Sequence, residues 1–255
     1  MLRRLPIDCL LILCSIFFSS FYSSLYSSLY ASPLASSPAE APAVVTFTID
    51  FPNSQPEHYS IRIPSDGSAR YQSSSRLSAD SDETDSHDSD SNNTDSHNTD
   101  SHNTDSFNFD FTVAVETRQK IFDLAAKAGY FQKDVDSHHK GLAFTGKKTL
   151  GYKDALRTGE STYNYSAIPA VEELTSLLQG LAATLEFGHR LQYDLHYQKL
   201  ALDEELKRME EMAGSNQLIE ITAIQAILNQ ILADPTVINV TRARAQRLLQ
   251  AAAMH

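Results

Sequence analysis

The stretch YSIRIPSDGSARYQ, Tyr59–Gln72, decides the fold. Tyr59, Ile61 and Ile63 alternate with Ser60 and Arg62, so one face is apolar and the other polar, the period of a half-buried strand. Pro64-Ser65-Asp66-Gly67 is a turn, with glycine where a positive φ is needed. Ser68–Gln72 then returns as the partner strand. A hairpin with one apolar face needs further strands beside it and a layer to cover it.

Both are found on either side. Upstream, VVTFTIDF (Val44–Phe51) places Val45, Phe47, Ile49 and Phe51 on one face and Thr46, Thr48 and Asp50 on the other. Downstream, FNFDFTVAV (Phe107–Val115) alternates Phe107, Phe109, Phe111, Val113 and Val115 with smaller or polar residues. Glu116–Thr117 offers a helix start, Ile121, Leu124, Ala125 and Ala128 follow at helical spacing, and Gly129 is placed to stop the helix. Tyr130 and Phe131 should tuck back onto the core. Two short strands follow, Lys148–Asp154 and Ser161–Ser166, joined by a turn containing Gly159.

From Pro169 the period changes to 3.6. Leu174, Leu178, Leu181 and Leu185, then Leu195, Leu202, Leu206 and Met209, predict a helix of more than forty residues. It would be about 65 Å long, protruding or bending near Gly180 or Gly188. A second helix is predicted over Gln217–Ala233. Asp234–Pro235 should end it and cap a third over Thr236–Ala253, the three packing as antiparallel neighbours. The expected fold class is α+β: a small, mainly antiparallel sheet with one packed helix, followed by a long-helix C-terminal bundle. The predicted organisation is a signal or anchor segment at 1–31, a Pro/Ala/Ser linker at 32–43, an α+β domain at 44–168 interrupted by a repeat at 74–106, and a helical region at 169–255.

The leader explains the location expected of the chain. Arg3 and Arg4 precede the apolar run CLLILCSIFF, Cys9–Phe18, and a Ser/Tyr tract follows, the pattern of an export signal cleaved after Ala31 or Ala43. The alternative is a retained anchor, since residues 9–31 carry no charge and are about long enough to span a bilayer. Leu13 is too bulky ahead of Cys14 for a lipoprotein site. Cys9 and Cys14 are the chain's two cysteines. A processed chain would contain neither, which excludes disulfides, zinc–thiolate sites and iron–sulfur clusters from it. The chain is expected to be exported, periplasmic or extracellular, or else membrane-anchored through residues 1–31.

The interrupting segment runs in fives from Thr84: TDSHD, SDSNN, TDSHN, TDSHN, TDSFN. Residues 80–110 hold ten acids and no Lys or Arg, and so supply −10 of the chain's net charge of −11. The leader adds +1, leaving the remainder near neutral at −2. The folded part is therefore not a basic nucleic-acid binder. His87, His97 and His102, each near an aspartate, are weak metal candidates. A five-residue period matches neither a helix face nor a strand face, and nothing apolar between Ala79 and Phe107 would hold a folded site. The composition is that of a solvated spacer. It lacks the glycines and terminal glutamate of calcium loops.

DVDSHH, with Asp134, Asp136, His138 and His139, is a second weak metal candidate, or else an exposed polar loop. Glu186 and His189 make one E-x-x-H pair, with His196 seven residues on. A di-iron bundle needs two such pairs. Gly141–Thr149, GLAFTGKKT, approaches a phosphate loop, but Lys148 stands where Ser or Thr is required and a strand follows instead of a helix. No G-x-S-x-G, S-x-x-K set or H-E-x-x-H is present. No cofactor is implied, and no catalytic residue is assigned. Tyr152, Tyr163, Tyr165, Tyr193 and Tyr197 suit a sugar- or peptide-binding face, or a sheet covered by a helix. Arg242, Arg244 and Arg247, and the Glu204–Arg208 pair, mark the C-terminal helices as the surface for an unknown protein or envelope partner.

Three segments together, YSIRIPSDGSARYQS, IFDLAAKAGYF and TYNYSAIPAVEELTSLLQGLAATLEFGHRLQYDLHYQKLALDEELKRMEE, resemble an uncharacterised family of exported proteins of Acidobacteria-type soil bacteria. The front half also resembles small domains of unknown function in which an xSxxIxxDGxxxY hairpin precedes a helix and more strands. The resemblance covers about residues 44–255 without the pentads, where a shorter connection is expected of relatives. It implies export and no activity. The functional expectation is a non-enzymatic exported protein acting by binding or structure in the cell envelope. The alternatives are an anchored interaction protein with the repeat as spacer and, below that, a weak metal binder or an enzyme using DVDSHH or Glu186/His189.

Overall fold

The computed structural model describes residues 42–74 and 106–253. Six strands form one antiparallel sheet: β1 (Val44–Asp50), β2 (His58–Pro64), β3 (Ser68–Ser74), β4 (Ser106–Thr112), β5 (Lys147–Lys153) and β6 (Thr158–Tyr163). Their order across the sheet is β4-β3-β2-β1-β5-β6. The hairpin forms as its sequence predicts, with Ile61 opposite Tyr71 and Gly67 at φ 92° in the turn. Phe47 sits between Ile61 and Leu150 in register, so the apolar faces of three strands coincide. Asn108, Gln72, Ser60, Thr48, Thr149 and Thr162 align in one row across all six strands. That row lies on the face opposite the core residues, the polar side expected of an antiparallel sheet with one face in water.

The pentads connect β3 to β4, and these two strands pair all the way out to Ser74 opposite Ser106. The chain thus leaves the sheet and returns to the neighbouring position. His87, His97 and His102 lie outside the described residues.

Helices α1 (Val115–Lys127) and α2 (Pro169–Tyr197) cover the apolar face. α1 begins at Val115, earlier than the capping pair Glu116–Thr117 predicts, because Val113 is the last side chain the sheet face can bury. Its end is as expected. Gly129 takes φ 68°, and a short 3₁₀ turn at Gly129–Phe131 buries Phe131 completely. Gly159 is not in a turn. It lies within β6, and the β5–β6 turn is built by Asp154, which accepts the N–H groups of Leu156 and Arg157 at 2.8 and 2.6 Å. A Cβ on Gly159 would stand 2.2 Å from the carbonyl oxygen of Tyr130. The glycine is needed because the segment after α1 passes directly over β6.

The predicted forty-residue helix is two helices. α2 ends at Tyr197, the chain turns through residues 198–201, and α3 (Leu202–Gly214) folds back, with Arg190 Nε donating to Glu205 Oε2 at 3.1 Å. No glycine or proline marks the break. A straight helix would have carried Leu202, Leu206 and Met209 past the sheet into water, whereas folding back buries all three completely. At about 25 cal/mol per Å² of apolar surface, that burial outweighs the hydrogen bonds lost at the turn.

Gly180 and Gly188, where a bend was expected, lie inside unbroken helix. They are contact points: a Cβ on Gly180 would lie 2.8 Å from the carbonyl oxygen of Gln217, and one on Gly188 would lie 2.5 Å from Ile224. The chain of residues 217–220 is drawn across Gly180 in non-helical form. The predicted second helix therefore shortens to a 3₁₀ turn at Ile221–Ile224 and α4 (Gln225–Ala233). The third, α5 (Asn239–Ala252), starts later than predicted. Asp234 caps the turn at Thr236, and the helix itself has no side-chain cap. One hydrophobic cluster runs from Val45 through Leu178 to Leu248, so sheet and helices share a core.

Candidate functional site

Glu186, on the sheet-facing side of α2, joins strand and helix through polar contacts. Tyr71 Oη and Ser73 Oγ of β3 each donate to its Oε1 at 2.7 Å. Its Oε2 faces His189 Nδ1 at 3.9 Å, an ion-pair separation. Burial pushes the carboxyl up, but the neighbouring His189, Ser73 and Tyr71 outweigh it and hold Glu186 below the ordinary glutamate value. Burial, with Glu186 nearby, drives the Tyr71 hydroxyl far above the usual tyrosine value. The E-x-x-H pair is thus a strand-to-helix anchor that fixes one imidazole.

That imidazole opens onto a groove. His189 stacks on Phe107 of β4, ring centroids 4.0 Å apart and planes within 5°. One and two turns further along α2 stand Tyr193, His196 and Tyr197, with the tyrosine rings 4.9 Å apart. Tyr193 is 51% and Tyr197 68% exposed. Gln192 and Gln230 add amides, and Lys199 closes one end by donating to Asp234 and Thr236 at 2.6 Å each. The lysine and the Thr236 hydroxyl and N–H hold Asp234 at about 2. The groove encloses about 630 Å³. Two smaller recesses near the C-terminal helices, of about 290 and 390 Å³, are walled mainly by aliphatic side chains.

The groove is all but invisible in the sequence, because β4, α2 and the end of α4 meet only in three dimensions. The exposed Tyr193 and Tyr197, four apart on one helix, were its one visible sign. The tyrosine set divides. Tyr152 and Tyr163 are buried, whereas Tyr165, Tyr193 and Tyr197 are open.

In DVDSHH the structure brings Asp134 and His138 together, Nε2 to Oδ2 at 2.7 Å. The remaining carboxylate oxygens are engaged by the backbone. Asp134 accepts the N–H of Asp136, and Asp136 accepts those of His138 and Asn164. His139 is exposed, and its N–H is held by Ser137 Oγ. Among the described residues no group of three or more His, Cys, Asp or Glu is placed to hold a metal. The segment instead clips along β6, with Val135 buried and its N–H on Ser161 Oγ at 3.1 Å.

Lys148 of the phosphate-loop look-alike points inward. Its ammonium is held by Thr145 Oγ1 at 2.8 Å and the carbonyl of Asn164 at 2.9 Å, and burial pushes its pKa down. It lies within β5, where a strand was expected. Of the C-terminal arginines, Arg244 bridges Asp203 and Glu210 at 2.9 and 2.6 Å, and Arg247 holds Glu210 at 2.7 Å. They tie α5 to α3. Arg208 pairs with Glu205, one position from the Glu204 predicted.

The chain matches no protein-family model, no curated protein and no solved structure.

Proposed function

We propose that this protein is exported and acts in the cell envelope by binding, and that the groove beside α2 receives a glycan chain. The observation that carries this reading is the pair of open tyrosine rings, Tyr193 and Tyr197, continuing the Phe107–His189 stack within one groove. Exposed aromatic rings in a row cost solvation and are found where a ligand covers them. Their faces suit the C–H faces of sugar rings, while the amides of Gln192 and Gln230 can donate to and accept from neighbouring hydroxyls. Export rests on the leader. Among the described residues no helix is long and apolar enough to cross a membrane.

The test is calorimetric titration of the purified chain with soluble oligosaccharides prepared from envelope material, beside Tyr193→Ala/Tyr197→Ala. Binding that weakens at least about tenfold in the double variant, with unchanged circular dichroism, supports the reading. Equal binding by both proteins, or none by either, defeats it. N-terminal sequencing of exported material tests the leader, and a chain beginning at Met1 defeats cleavage.

A further inference from the structure

The two edges of the sheet are treated differently. β6 is covered: residues 130–137 run along it, close enough to require Gly159, and are fastened by the Val135–Ser161 and Asp136–Asn164 bonds. β4 carries few of the usual protections, and its one charge, Asp110, is held by Arg70 of β3. SFNFDFT, Ser106–Thr112, has no proline, no lysine and no bulge, its register with β3 is unbroken, and no described segment pairs with its outer side. Phe107, Phe109 and Phe111 form a stacked ladder, centroids 6.0 and 6.2 Å apart, and each is only partly buried. An edge strand with an apolar face and outward backbone groups that no described segment pairs is a template for another strand.

We propose that the strand which completes it is β4 of a second copy, paired antiparallel about a two-fold axis at Phe109. The hydrogen-bond phase permits this. Val113 N donates to Gly67 O at 3.0 Å. In an antiparallel pair the bonds alternate, so Phe107, Phe109 and Phe111 turn their backbone groups toward β3. Ser106, Asn108, Asp110 and Thr112 turn theirs outward. Pairing centred on Phe109 sets Asn108 against Asp110 of the other copy and Ser106 against Thr112, so every outward group meets an outward group. On the core side Phe107 faces Phe111 and Phe109 faces itself. On the open side amide faces carboxylate, no like charges meet, and Arg70 already holds each Asp110 through two hydrogen bonds. The sequence SFNFDFT is self-complementary in the sense a two-fold interface requires. The product is one continuous sheet with Phe107 of both copies on the same face. The glycan reading and this one stand independently.

A seam one strand long lies at the small end of stable interfaces, so dimerisation in the range of about 1–100 µM is expected. The test is sedimentation velocity of the full chain across that range. Asn108→Pro removes an outward N–H while leaving the β3 ladder intact, and it should be monomeric with unchanged circular dichroism. Asn108→Asp sets two carboxylates opposite each other at each of two symmetric positions, and Asn108→Lys sets opposite charges there. The first should weaken and the second strengthen dimerisation, each by about threefold to tenfold. A wild-type chain that is monomeric at about 100 µM overturns the proposal. So does a dimer that Asn108→Pro leaves intact. Should the proline variant unfold, the Asp and Lys variants decide, and failure of their dimer affinities to move in opposite directions overturns it.

Discussion

Tyr71 of β3 donates its hydroxyl to Glu186 of α2 at 2.7 Å, although 115 residues separate them in the chain. With Ser73 on the same oxygen, the contact fixes where α2 crosses the sheet. Glu186→Leu would leave both hydroxyls without an acceptor. Each buried unpaired group costs about 1–3 kcal/mol, so a loss of about 3 kcal/mol is expected in urea unfolding. Glu186→Gln keeps an acceptor oxygen and should lose about 1–2 kcal/mol, the difference between charged and neutral hydrogen bonds. Equal losses in the two variants would show that the hydroxyls find other partners.

Gly180 and Gly188 give a prediction whose sign separates two explanations of a helical glycine. If they served to bend α2, alanine would straighten and stabilise it by about 1 kcal/mol of helix propensity. The structure places the carbonyl of Gln217 2.8 Å, and Ile224 2.5 Å, from the Cβ atoms that alanine would add. Overpacking costs about 1–3 kcal/mol. Gly180→Ala, whose clash is with backbone, and Gly188→Ala, whose clash is with the branched end of buried Ile224 at its Cβ, should therefore each be destabilised by about 1–2 kcal/mol. Thermal unfolding of the two single variants measures this.

These positions also show which features the sequence made visible. The hairpin at Tyr59–Gln72 was legible because its period, its turn and its partner strand lie within fourteen consecutive residues. The α+β class followed from the change of period at Pro169. The turn at residues 198–201 was not legible, because the residues there form helix as readily as their neighbours and burial of Leu202, Leu206 and Met209 decides against it. Gly159, Gly180 and Gly188 were visible as glycines, but what each makes room for comes from distant chain. The same distance hid the groove. Phe107 and His189 are stacked rings in space and unrelated letters in the sequence.

Stability should fall in acid over a window set by two aspartates. At Asp154 burial raises the pKa, but the N–H groups of Leu156 and Arg157, the Tyr152 hydroxyl and the Arg157 guanidinium lower it to about 2. Asp234 is lowered to about 2 by Lys199 and Thr236. In the unfolded chain an aspartate titrates near about 3.9. A depressed folded value means that the contribution is complete above the unfolded pKa and is lost as pH falls through the folded one. Unfolding midpoints should be flat above about pH 5 and decline between about pH 4 and 2. Asp154→Asn/Asp234→Asn should be less stable at neutral pH and show a shallower decline. An equal slope in the variant would assign the acid sensitivity to other carboxylates.

The pentads yield a prediction from strand phase alone. Ser74 and Ser106 face each other, and the phase set by Val113 and Gly67 makes theirs a pair without mutual hydrogen bonds. In a chain shortened there, carrying that phase one step further would make residues 75 and 105 the hydrogen-bonded kind of pair, which a two-residue turn closes. Replacing residues 76–104 with Asn-Gly should therefore give a hairpin in the same register. Shortening the connection removes closure entropy, which grows only with the logarithm of length, so a gain of about 1–2 kcal/mol is expected. Circular dichroism should show undiminished sheet, and urea unfolding should show the higher midpoint. The deletion also removes His87, His97 and His102, so zinc titration of both proteins in parallel reads out any metal capture by the repeat. Equal heats would assign the repeat to spacing, and a zinc isotherm present only in the longer chain would assign it to metal. A loss of stability on deletion would mean that the acidic segment contributes contacts to the fold that a spacer does not make.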